Sequence, residues 1–134
     1  MELLSMESII TTQLKVRVPR LLNNSYPNIS FTNEISDMTP SFPNVYIHEL
    51  EPSEVANSLM NQTIHAIRDT IQIDVTTNTT KQDARKVANA CVSAMKALSY
   101  SINMMPVYTK VNNVHRFVIR AHRMVASGDQ FYTN

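Results

Sequence analysis

The sequence predicts an α+β domain: a single mostly antiparallel or mixed sheet of four to five strands, with helices packed on one face. Three observations predict it. Residues 64–76 alternate, with Ile67, Ile71, Ile73 and Val75 on one side and Arg68, Thr70, Gln72 and Asp74 on the other. Residues 80–100 place Ala84, Val87, Ala88, Cys91, Ala94, Met95 and Leu98 at the i, i+3, i+4, i+7 spacing of one helical face. Strand-like stretches lie on both sides of that helix, so it covers a sheet, and its alanines allow close packing. The whole of residues 1–134 reads as one domain. A chain of this length buries roughly two thirds of its unfolded surface.

The elements follow in order. Residues 3–22 read as a first helix, with Leu3, Ile10, Leu14, Val18 and Leu21 or Leu22 near one stripe. Pro19 predicts a kink, or an end near Arg17, because its ring clashes with the preceding turn. Asn23, Asn24, Ser25 and Pro27 form a loop. Ile29 and Phe31 alternate with Ser30 and Thr32 as a short edge strand. The stretch SFPNVYIHELEP reads as a second strand, closed by Pro52, and Ser53–Leu59 as a possible helical turn. Thr80 is a good N-cap for the central helix, with Asp83 at the capping-box position. Residues 102–111 read as a strand interrupted by Pro106. Residues 114–125 read as the last strand, with Phe117, Ile119 and Ala121 facing one way and Arg116, Val118, Arg120 and His122 the other.

Composition excludes several classes. A net charge of +1 argues against a dedicated nucleic-acid binder. A single cysteine allows no internal disulfide, and MELLSMES has no basic residue before its apolar stretch, unlike a signal peptide. No run reaches the about 18 apolar residues of a membrane span. The single glycine, Gly128, leaves no phosphate-cradling loop. The N-x-S/T matches at Asn23, Asn28, Asn61 and Asn78 read as chance in a chain rich in those residues.

Five groups of residues are candidates for chemistry. His115 and His122 are seven apart, which on a strand sends them to opposite faces. His48-Glu49 lacks the second histidine of H-E-x-x-H, because Pro52 stands there. No metal or cofactor is therefore expected. Cys91 lies on the apolar helix face, the place of an inert buried thiol. Glu49, Glu51 and Glu54 crowd the end of the second strand and read as solvated carboxylates, not an acid/base pair. Arg116 and Arg120 share a face about 13 Å apart, without the interleaved aromatics that stack bases.

The near-neutral total hides a dipolar chain. Residues 34–74 hold seven acids and one base, and residues 81–123 eight bases and one acid. Two arrangements use that pattern. Opposite patches on different copies can meet head to tail, or strands of the two halves can pair and neutralise each other within one chain.

SFPNVYIHELEP, TIQIDVTTN, the helix ending in KALSY, and RFVIRAHRMVASGDQF together resemble the tail terminator (tail completion, head–tail joining) proteins of long-tailed bacteriophages. The likeness covers about residues 40–132. Its features are an F-P-x-V strand, a long strand ending in D-V, a helix ending L-x-Y, and a final strand with spaced arginines leading to G-D. The resemblance implies a sheet flanked by helices and a structural virion protein without catalysis or cofactor. It further implies assembly in the host cytoplasm into a self-associating hexameric ring at the head-proximal end of the tail. That ring would end tube polymerisation, contact the tail tube protein and the head–tail connector protein, and let DNA through its lumen. The candidate subunit contacts are Glu49, Glu51 and Glu54 on one copy against Arg116, Arg120 and Arg123 on the next. Another connector or tube component, or a small nucleic-acid-binding domain, remains an alternative.

Overall fold

The alternation of residues 64–76 becomes the middle of the molecule. The computed structural model describes residues 6–34, 40–50, 53–54 and 66–126. Its helices are α1 (Met6–Leu21) and α2 (Lys81–Ala97), and its strands β1 (Ser30–Thr32), β2 (Asn44–Glu49), β3 (Ser53–Glu54), β4 (Ala66–Thr77), β5 (Ser101–Val111) and β6 (Val114–Ala126). The sheet runs β1-β2-β4-β6-β5, with the two-residue β3 also on β4. β1 is parallel to β2 and every other pairing is antiparallel, so the sheet is mixed. β4 and β5 run the same way with β6 between them, which makes β4–α2–β5 a split crossover whose helix lies over all three strands.

The core is the one the apolar spacings describe. Ile10, Leu14 and Val18 of α1 and Val87, Cys91 and Met95 of α2 are fully buried with Ile71, Ile73 and Ile119 of the sheet. Val45 of β2 lies beside Val75 of β4, and Val75 beside Phe117 of β6, so one apolar row crosses three strands beneath the helices.

Prolines account for most differences from the sequence reading. α1 does not end near Arg17; it runs through Pro19 to Leu21. Pro19 lies so near the C-terminus that its missing N–H costs a single bond, and its carbonyl still accepts from Asn24 N at 2.9 Å. Pro106 does not interrupt β5. β5 is an edge strand, where a missing donor is tolerated, and register shifts on both sides of Met104 insert two extra residues relative to β6. The helical turn expected from Ser53 is instead strand at Ser53–Glu54, paired with Arg68 and Ile67. Four residues from Glu49 to Ser53 span three on β4, so one extra residue separates β2 from β3. Residues 55–59 of that expected turn and Leu3 of the first stripe lie outside the described residues.

Candidate functional site

β4 and β6 pair over their full length, which brings the acid-rich half beside the base-rich half. The sheet face away from the helices then carries a hydrogen-bonded polar ladder. Arg120 Nε donates to Gln72 Oε1 at 2.8 Å, directly across the strands. Gln72 Nε2 donates to Asp74 Oδ1 at 3.1 Å, and Asp74 Oδ2 accepts from Arg116 Nη2 at 2.8 Å. Beside the ladder the rings of Tyr46 and His48 stack with centroids 4.8 Å apart. Gln72 is buried within the ladder and Arg120 remains exposed at its end. Arginines, tyrosine and histidine so arranged give this open face mixed polarity.

Of the six expected contact residues, the three arginines do not share one face. Arg116 and Arg120 share this open face, and Arg116 is committed to Asp74 inside the chain. That pair realises the intramolecular alternative for this part of the charge pattern. Arg123, at odd spacing from Arg120, turns to the helix side, where its Nη1 donates to Leu98 O at 3.3 Å at the end of α2. Glu49 has the parity of Val45 and Ile47, faces the helices and is half-buried. Its backbone N–H donates to Glu7 Oε2 at 2.9 Å, which covers that edge of β2 with α1. Glu54 lies on β3, opposite Ile67. Glu51 is outside the described residues.

A second polar group lies under the helices. Asp69, the one exception on the apolar face of β4, is fully buried and accepts from Tyr100 Oη at 2.7 Å. Burial first, then the Asp69 charge, holds the Tyr100 phenol far above its ordinary range. Arg123 lies opposite Asp69 in the strand register. A third group anchors the start of α2. Thr80 Oγ1 accepts from Asp83 N at 3.1 Å. The Asp83 carboxylate accepts from Thr79 and from Tyr26 of the loop after α1. The Thr79 hydrogen bond is the largest cause holding the Asp83 carboxyl below its ordinary value.

The remaining chemistry is quiet. Burial pushes the Cys91 thiol up to about 12, so at neutral pH it is protonated and out of reach of solvent. His115 meets Tyr108 Oη on the helix side, and His122 meets Asn103 on the other. Among the described residues no three His, Cys, Asp or Glu side chains gather as a metal site requires. Among them, no helix is long and apolar enough to cross a membrane. An open groove of ≈ 480 Å³ lies between the end of α1 and the middle of α2, lined by Leu21, Leu22, Tyr26, Lys86, Asn89 and Ser93.

No protein-family model matches the chain, and no curated protein sequence matches it.

Sequence reasoning missed the Gln72 bridge, the Glu7 cover and the Asp69–Tyr100 bond, because each depends on which strands and helices become neighbours. Only the last had a sequence signal: an aspartate on the apolar side of a strand needs a buried donor.

Proposed function

We propose that the chain is a structural virion protein of a long-tailed bacteriophage, a ring at the head-proximal end of the tail tube. The ring ends tube polymerisation and joins the tail to the head connector. The reading rests on the order of the four motifs, and one observation carries it furthest. Their residues are neighbours in space as well as in order. Val45 of the F-P-x-V strand, Val75 of the D-V strand and Phe117 of the arginine strand form one row across β2, β4 and β6. Leu98 of the L-x-Y helix end belongs to the same core. Asp74 of D-V holds Arg116, the first of the spaced arginines.

On this reading the protein binds and does not catalyse. It needs no metal or cofactor, assembles in the host cytoplasm and resides in the virion tail. Its partners are further copies of itself, the tail tube protein and the head connector, and DNA only passes through. Negative-stain microscopy of the purified protein, alone and with its cognate tube protein, tests it. The expected result is rings of one size that cap tube ends and stop their growth. Open-ended tubes of this protein alone would make it a tube subunit, and a monomer that retains DNA in a salt-sensitive way would make it a nucleic-acid-binding domain.

A further inference from the structure

The net charge of +1 averages over acids and bases that the fold uses differently. Four acids of the described residues are drawn into the chain's own bonds: Glu7 on the Glu49 N–H, Asp69 on Tyr100, Asp74 on Arg116, and Asp83 on Thr79 and Tyr26. The bases of α2 are not. Lys81, Arg85, Lys86 and Lys96 are all exposed, and none forms an ion pair with an acid among the described residues. Asp83 is the one acid of α2, and it is half-buried. Thr79 does most to hold its carboxyl low, with Lys86 a minor contributor.

The outward face of α2 is therefore a row of donors. Gln82, Asn89 and Ser93 stand exposed between the cations. Apart from Ala97, every exposed residue of the helix can donate a hydrogen bond, and none carries a negative charge. Two of the cations are held in place: Lys81 Nζ lies 4.2 Å from the Tyr108 ring centre, and Arg85 Cζ 5.9 Å from that of Phe117. Lys86, Asn89 and Ser93 line the open groove beside the end of α1. From Lys81 to Lys96 the face runs about 22 Å at the usual helical rise.

The chemistry of this face selects its ligand. Protein interfaces have apolar and aromatic cores and are poor in lysine. The exposed large apolar side chains of the described residues lie on α1, β5 and β6, and none is on α2. The same lack removes the apolar side that a membrane-surface helix sinks into lipid. α2 carries no aromatic residue, so unpaired bases find no stacking platform. A polyanion held by its charge alone fits: one strand of a DNA duplex presents about six phosphates over such a length. We propose that the outward face of α2 binds the phosphate backbone of double-stranded DNA, whatever its sequence. The ring reading gives DNA passage and no contact, so this goes beyond it. A contact through phosphates alone lets DNA slide.

The full chain, titrated against a fluorescein-labelled duplex of about 20 base pairs at about 50–200 mM sodium chloride, tests it by fluorescence anisotropy. Four cations on phosphates give log Kobs against log salt a slope of about −3 to −4, the same for two duplexes of unrelated sequence. Lys86→Gln should weaken binding and reduce that slope by about one. Arg68→Gln makes the same charge change on β4, on the sheet face away from the helices, and should leave both unchanged. Lys81→Glu/Arg85→Glu/Lys86→Glu should abolish retention. The two single changes are at exposed positions, so their comparison holds even where the triple variant fails to fold. No retention by the wild type at about 50 mM salt, or a loss as large from Arg68→Gln as from Lys86→Gln, overturns the proposal. Tighter binding to phosphatidylserine vesicles than to the duplex gives the face to a membrane and also overturns it. Rings that cap tubes yet ignore the duplex overturn the contact and leave the ring reading standing. A chain that retains the duplex through Lys86 but forms no rings with its cognate tube protein bears out the contact and overturns the ring reading alone.

Discussion

Tyr100 and Asp69 illustrate how one residue's cost is met by another's position. A fully buried carboxylate is expensive, and here one oxygen accepts the Tyr100 hydroxyl at 2.7 Å while the other has no hydrogen-bond partner among the described residues. Tyr100→Phe removes the one bond and should destabilise the protein by about 1–3 kcal/mol in urea unfolding. Two buried groups also set the alkaline limit. Cys91 and Tyr100 both have folded pKa values above their ordinary 9.0 and 10.0. The folded state keeps the proton that the unfolded state releases. The Cys91 contribution is complete below pH 9.0 and is lost as the pH rises through about 12, while that of Tyr100 is complete below pH 10.0 and declines above it. Urea midpoints measured from pH 8 to 11 should fall steadily, and Cys91→Ala should fall less steeply. A slope that ignores the substitution would mean that the thiol titrates normally in the folded state.

At the scale of elements, legibility followed the range of the interaction that decides each one. The start of α2 was plain in the sequence because a threonine cap acts over three residues, and Thr80 does bind the Asp83 N–H. Its end was less plain. Tyr100 N donates to Met95 O at 3.0 Å and Ser99 N to Lys96 O, a closing turn that puts Ser99 at φ 69, where glycine is usual. The chain has a single glycine, elsewhere, so the usual signal was missing. Ser99→Gly should relieve the left-handed cost and raise stability by up to about 1 kcal/mol, read as a higher thermal midpoint. The β5–β6 hairpin was legible in principle: Asn112 and Asn113 sit at φ 50 and 63, and asparagine tolerates the mirror-image turn that joins twisted strands. Pro19 and Pro106 misled because their cost depends on a helix end and a sheet edge, which are tertiary facts.

For the whole molecule, the sequence disclosed the charge asymmetry but not its geometry. Counting along the chain pairs Glu49, Glu51 and Glu54 with Arg116, Arg120 and Arg123. Strand alternation instead sends Arg123 to the helix side and Arg120 to the open face, and register ties Arg116 to Asp74. The exposed cations that remain lie mainly on the helices. A monomer with such a face repels itself, over a distance that salt shortens to about 10 Å at 0.1 M. Its thermal midpoint should therefore rise with sodium chloride at protein concentrations too low for assembly. A gain of about 1 kcal/mol corresponds to roughly 3–5 °C in a domain of this size. The Lys81→Glu/Arg85→Glu/Lys86→Glu variant removes three of these cations, so its salt response should flatten. A wild-type midpoint that falls with salt would mean that attraction between the two charged halves already dominates inside one chain.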